Sequence, residues 1–386
     1  MAVVPRLGRR EGLDVSGPSL VSVVIPSYNG AGYLGEAIDS ALAQTHPAVE
    51  IVVVDDGSTD DTRALAARYG EQVRYVYQEN RGLPGARNTG IRAARGVYLA
   101  FLDHDDRFLP EKLARQVAVL DVRPEVGLVY TGWHFIDADG RRLPPTGWDR
   151  RDGDVFAHLL VENMIYPAAA MVRKAPVDAV GGFDETLTGL EDWDLWLRLA
   201  QRGVHWACVD EPLLEYRVHP GQMHKHGAER RLRNRLAILD KVRADPQLPP
   251  PLRALEAVAR QNAYLQAAAH RLRAGERRDG ADAFAAAVAC RPALVADPRA
   301  LLRFARLLFP TGAQKQAAVV AARRTVMRTL RTAVDDLFAR PDLDPAVRRL
   351  RWPARLALLR LGLRLARKGV GGSDASGETA IARSGA

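Results

Sequence analysis

Short runs of β-branched and other apolar residues alternate along the first half of the chain with segments of helical period, the order expected of a sheet covered by its connecting helices. Strands are predicted at Val21 to Pro26, Glu50 to Val54, Val73 to Gln78 and Val97 to Leu102. Helices fall between them near Tyr33 to Ala43, Thr59 to Tyr69 and Ala86 to Arg95, in turn-rich surroundings such as DDGSTDD and NRGLPG. A helix near Pro110 to Asp121, strand-like runs at Gly127 to Trp133 and Ala168 to Val172, a helix at Asp192 to Arg202 and a strand from Leu213 to Val218 extend the unit. From about Ala228 the pattern changes to Ala, Arg and Leu with helical period, broken by PQLPPP, ARPALVADP, FPTG and ARPDLDP. The expected organisation is a flexible lead (1–18), an α/β domain (19–226), a basic all-helical region (227–368) and a disordered tail (369–386).

Charge separates the same two halves. Residues 227–386 carry 31 Lys plus Arg against 14 Asp plus Glu, whereas residues 1–226 hold 24 against 32. A basic half either faces an anionic partner or is an Arg-rich solvated surface. No zinc finger, RNP-type aromatic motif or Lys-rich arm accompanies the charge, so nucleic acid is not an expected partner. The segment PARLALLRLGLRLARK, Pro353 to Lys368, gathers Arg360, Arg364, Arg367 and Lys368 on one helical face. It suits either a peripheral contact with an anionic membrane or a bundle that buries its leucines.

Two cysteines, Cys208 and Cys290, are too few for a disulfide framework in 386 residues. The N-terminus lacks an apolar signal region, and no run approaches the ~18 apolar residues of a membrane span. The expected location is cytoplasmic, with the inner face of the cell membrane as a peripheral contact.

Gly30, Gly32 and Gly35 spell G-x-G-x-x-G after a strand, with Asp55 twenty residues beyond. Pro26-Ser27-Tyr28-Asn29 separates strand from glycines, however, where a dinucleotide fingerprint needs an immediate turn. That fingerprint also leaves two acidic clusters without a role. The first, Asp103-His104-Asp105-Asp106, ends a strand, where open α/β sheets bind ligands. Three carboxylates there repel one another unless neutralised, and hard oxygen donors suit Mn2+ or Mg2+ shared with a diphosphate; helix capping is the other role open to them. The second, Glu191-Asp192-Trp193-Asp194, opens a helix. A carboxylate there either caps the helix or takes the proton of an acceptor hydroxyl.

Five segments in order, VSVVIPSYNGAGYLGEAIDSALAQTHP, VVVDDGSTDDT, NRGLPGARNTGI, YLAFLDHDD and GLEDWDLWLRL, resemble family 2 of the glycosyltransferases over roughly residues 20–226. The resemblance implies a GT-A type fold, a mostly parallel sheet flanked by helices, and inverting transfer from a nucleotide-diphosphate sugar donor to a glycan or lipid-linked acceptor. It further implies that Pro26, Tyr28 and Asn29 line the nucleotide pocket, that Asp56 bonds base or ribose, and that Arg87 stands near the base or diphosphate. Asp103 would serve ribose and metal, Asp105 would be the more direct ligand of Mn2+ or Mg2+, and His219 would complete the metal shell beside a third carboxylate, Asp106. Asp192 would be the catalytic base, with Glu191 and Trp193 on the acceptor side. A non-catalytic scaffold that binds nucleotide sugar is the competing expectation.

Overall fold

The computed structural model of the chain describes residues 17–144, 148–221 and 228–292, with Leu294 and Phe304. The Pro353 to Lys368 segment, the residues before Gly17, the tail after residue 368, and His224 and His226 lie outside the described residues. The Cα trace divides into two compact units, residues 1–238 and 239–386.

The first unit opens with β1 (Val21–Ser27), α1 (Leu34–Leu42), β2 (Val49–Asp55), α2 (Thr62–Ala67), β3 (Val73–Tyr77), α3 (Gly82–Ala93) and β4 (Tyr98–Phe101). β1 pairs in parallel with β2 and β4, and β2 with β3. Next come β5 (Arg107–Phe108), α4 (Lys112–Val122), β6 (Val126–Ile136), α5 (Phe156–Val161), β7 (Ala170–Arg173), α6 (Lys174–Ala179), α7 (Glu191–Gln201) and β8 (His205–Arg217). β7 runs antiparallel to both β4 and β6, β8 is parallel to β6, and β5 is antiparallel to β8. One eight-stranded sheet results, in the order β3-β2-β1-β4-β7-β6-β8-β5. The parallel part is as the sequence predicts; the rest makes the sheet mixed.

Every residue of β1 is buried, because helices cover both faces of the parallel part. On one face Val21, Val23, Ile25, Ile51 and Val53 pack with Leu34, Ala37, Ile38 and Ala41 of α1 and with Leu113, Val117 and Leu120 of α4. The four α1 residues fall at i, i+3, i+4 and i+7, one helical stripe. On the opposite face Val52 and Val54 meet Ala86 of α3. α3 lies so close to β1 that a Cβ on Gly90 would stand 2.2 Å from Val24 Cγ1, which requires glycine there.

β8 begins at His205, eight residues before the expected Leu213. The stretch HWACVDEP lacks clean alternation, and pairing with β6, through register shifts, decides its conformation. α3 starts at Gly82, whose φ of 76° turns the chain, rather than at Ala86. In the second unit α9 (Pro250–Arg273) and α10 (Arg277–Cys290) form a helical pair. Its core includes Ala263, Ala268, Phe284 and Ala287, and buried Glu256 is paired with Arg260 at 2.7 Å. Among the described residues no helix is long and apolar enough to cross a membrane.

Lys112 is fully buried under the first unit's sheet; its Nζ donates to Gln116 Oε1 at 2.9 Å and lies 4.1 Å from the Phe108 ring centre. Burial holds its pKa well below the usual lysine value. The unfolded chain therefore binds more protons between that lowered value and about 10.4, so stability rises with pH through this window. Lys112→Met is expected to remove this part of the rise when unfolding free energy is measured by urea titration between pH 7 and 10.

Candidate active site

The carboxyl ends of β1, β2 and β4 meet along one edge of the sheet, where such folds bind ligands. Pro26 is buried within β1, while the ring of Tyr28 just beyond it is 50% exposed. Asn29 adopts a left-handed conformation, φ 49°. Its Oδ1 accepts from Thr59 N at 2.8 Å and its own N–H donates to Ser58 Oγ at 2.9 Å, tying the β1 loop to the DGST turn. Asp56 is buried, and its Oδ1 accepts from Gln78 Nε2 at 2.6 Å and Arg81 N at 2.8 Å, which fixes the approach to α3.

The Asp103 to Asp106 loop leaves β4 and packs on Gly30: a Cβ there would stand 2.5 Å from Ser27 Oγ and 2.7 Å from His104 Cδ2. Asp105 Oδ2 lies 3.0 Å from His219 Nε2, so residues 114 apart in sequence converge. Arg217, 1% exposed, holds this arrangement: Nε donates to Asp105 O at 2.8 Å, its backbone N–H to Asp106 Oδ1 at 2.9 Å, and Nη2 to Glu36 Oε2 at 2.7 Å. Its guanidinium lies 4.5 Å from the Tyr33 ring centre, and Tyr33 in turn packs on His219 at 5.2 Å. Burial, then Asp105 and Asp103, raise the Asp106 pKa well above the ordinary aspartate value, with Arg217 pulling against them.

Arg87 joins the two acidic clusters. Its Nη2 donates to Asp103 Oδ1 at 2.7 Å and its Nη1 to Glu191 Oε1 at 2.6 Å, with the side chain buried. Burial opposes its charge, but Asp103 and Glu191 outweigh that and raise its pKa. The guanidinium, 1% exposed, is taken up by these two carboxylates where the chain leaves β4 and enters α7.

Leu190, left-handed at φ 68° after Gly189, delivers the chain into α7. Non-glycine residues pay strain for that conformation, and such strain gathers at functional sites. Asn234, on α8 (Ala228–Arg243), donates to Thr188 O and Gly189 O at 3.1 and 2.9 Å and fixes the turn. Asp192 accepts from Asn163 Nδ2 at 2.9 Å and from Trp193 N at 2.8 Å. Burial and the neighbouring Glu191 push its pKa up to about 6, against Asn163, Arg87 and the Trp193 N–H. Trp193 is fully buried and its Nε1 donates to Leu159 O at 2.7 Å. It thus ties α7 to α5. Tyr166, stacked on Tyr216 at 4.4 Å, has its pKa raised by burial and by both Asp106 and Asp192, and so stands between the two clusters.

Arg217, Asn163, Tyr166 and Asn234 were not singled out by sequence reasoning; only Arg217, two residues before His219, carried a local signal. Among the described residues no group of three His, Cys, Asp or Glu side chains is gathered to hold a metal ion. Asp105 and His219 offer one carboxylate oxygen and one imidazole nitrogen, a two-donor set that would leave an ion such as Mn2+ to take its other ligands from a diphosphate and water.

The fold and this edge define a GT-A type architecture. S. aureus TarS residues 1–349 in complex with UDP-GlcNAc superposes with a TM-score of 0.60 at 19% identity, covering 81% of this chain and 92% of that one. The mannosyltransferase PcManGT of Pyrobaculum calidifontis, in complex with GDP-Man and Mn2+, gives 0.52 at 20% identity over 93% and 89%. The sequence profile of glycosyl transferase family 2 matches residues 22–181. TuaG of Bacillus subtilis strain 168, named for teichuronic acid biosynthesis, is 33% identical over 213 residues, 52% of this chain and 79% of its own length. The chain belongs to glycosyl transferase family 2. An uncharacterized glycosyltransferase of Rickettsia prowazekii strain Madrid E is 37% identical over 209 residues, 53% of this chain and 65% of its own, so this chain spans just under two thirds of that relative.

Removing the arginine that joins the clusters would leave two carboxylates without their buried counter-charge. Arg87→Met is expected to lower unfolding free energy by about 3–5 kcal/mol in urea denaturation.

Proposed function

We propose that the chain is an inverting glycosyltransferase that moves a sugar from a nucleotide-diphosphate donor to a hydroxyl of an envelope glycan or lipid-linked acceptor. The observation that carries this reading is the linkage of Asp192 to the donor edge: Glu191, its neighbour, and Asp103 share the Arg87 guanidinium. An aspartate with a pKa near 6 is poised to accept a proton at neutral pH.

In this mechanism the acceptor hydroxyl gives its proton to Asp192 as its oxygen attacks the anomeric carbon. The bond to the diphosphate oxygen breaks on the opposite face, and the nucleoside diphosphate leaves with the electron pair. Asp105 and His219 would hold Mn2+ or Mg2+, which when bound offsets charge on the departing diphosphate. Tyr28, half exposed, offers its ring for stacking on the nucleobase, and Asp56, just after β2, donates its N–H to the neighbouring Ser27 O at 2.8 Å. The names of relatives support an envelope glycan as acceptor class, and the ligands of the structural neighbours support a UDP- or GDP-sugar donor.

The test incubates the protein with UDP-, GDP- and dTDP-sugars and Mn2+, reading nucleoside diphosphate release and donor-dependent thermal shift together. Asp105→Ala is expected to lose metal-dependent donor binding, and Asp192→Asn to bind donor while losing turnover by at least about a hundredfold. Donor binding without turnover in the unsubstituted protein, across a panel of acceptor glycans, would favour a nucleotide-sugar-binding scaffold instead.

A further inference from the structure

We infer that Asn163 is a positioning residue for Asp192: its side-chain amide grips one carboxylate oxygen and keeps the acid oriented and ionised. The inference rests on the reading of Asp192 as base. Asn163 lies just beyond α5, and its Nδ2 donates to Asp192 Oδ2 at 2.9 Å. Oδ1 of the same carboxylate accepts from the Trp193 N–H at 2.8 Å, so each oxygen has one fixed donor. The two side chains belong to elements tied together, since Trp193 Nε1 donates to Leu159 O at 2.7 Å across the α5–α7 contact.

The amide's other end sharpens the case. Among the described residues Asn163 Oδ1 is buried without a hydrogen-bond partner. The engaged end of the amide is therefore its donor, held on the Asp192 carboxylate. The charged and titratable groups facing Asp192 are Glu191 on its own helix, Arg87 from α3 and Tyr166 from the segment after α5. Burial and Glu191 disfavour the carboxylate; Asn163, Arg87 and the Trp193 N–H favour it. Asn163 is the one neutral side chain among those that favour it, so it can be removed without changing the site's charge.

The protein labelled with [13Cγ]Asp would be titrated by NMR, the Asp192 resonance being the one missing from the Asp192→Asn spectrum. Asn163→Ala is expected to raise the Asp192 midpoint by roughly one unit. Asn163→Leu, which keeps volume without a donor, serves if the smaller side chain destabilises the fold. With the panel's active donor, for example UDP-GlcNAc, and water as acceptor, the acid limb of kcat should move up by the same amount while KM for the donor holds. An unchanged midpoint and acid limb in both variants would overturn the inference. Turnover that survives Asp192→Asn would sink the reading of Asp192 as base but leave the titration result intact, so the two failures are distinguishable.

Discussion

A single buried guanidinium connects the two halves of this active site. Arg87 on α3 reaches Asp103 at the end of β4 and Glu191 at the start of α7, residues that the chain separates widely but the sheet edge brings together. Two carboxylates in a low-dielectric interior repel each other and resist desolvation; the shared cation offsets both costs and fixes their separation. Arginine suits the place because its planar fork donates to two acceptors at once. The Asp103 to Asp106 loop and the start of α7 are consequently registered against each other by one side chain rather than by loop packing alone.

Around that bridge the remaining groups fall into two sets. At the first cluster Arg217 clasps the Asp103 to Asp106 loop through a backbone carbonyl and a carboxylate, and brings His219 within reach of Asp105. At the other cluster the left-handed Leu190, the Asn234 amide and the Trp193 indole fix where α7 begins and hence where Asp192 points. Asp105 sits beside the His219 imidazole and close to Arg217, and Asp192 is desolvated beside Glu191.

Much of this was legible in the sequence. The β1 to β4 alternation, the turn-rich loops and both acidic clusters could be read because each depends on neighbours within a few residues. The residues that were missed depend on distant contacts. Asn163 looks like any loop asparagine until α5 and α7 pack; Arg217 looks like any strand-end charge until it meets Asp105. Trp193 sits between two acids, yet helical period turns its side chain into the core, where it meets Leu159 of α5. β8 extends eight residues further toward the N-terminus than its sequence predicts because ladder pairing with β6 overrides its poor local alternation.

The most direct measurement is a double-mutant cycle on the bridge, with Asp103→Asn, Glu191→Gln and the pair compared by urea denaturation. If Arg87 couples the clusters, the two losses will depart from additivity by more than about 1 kcal/mol. Losses that add to within about 0.5 kcal/mol would contradict the account.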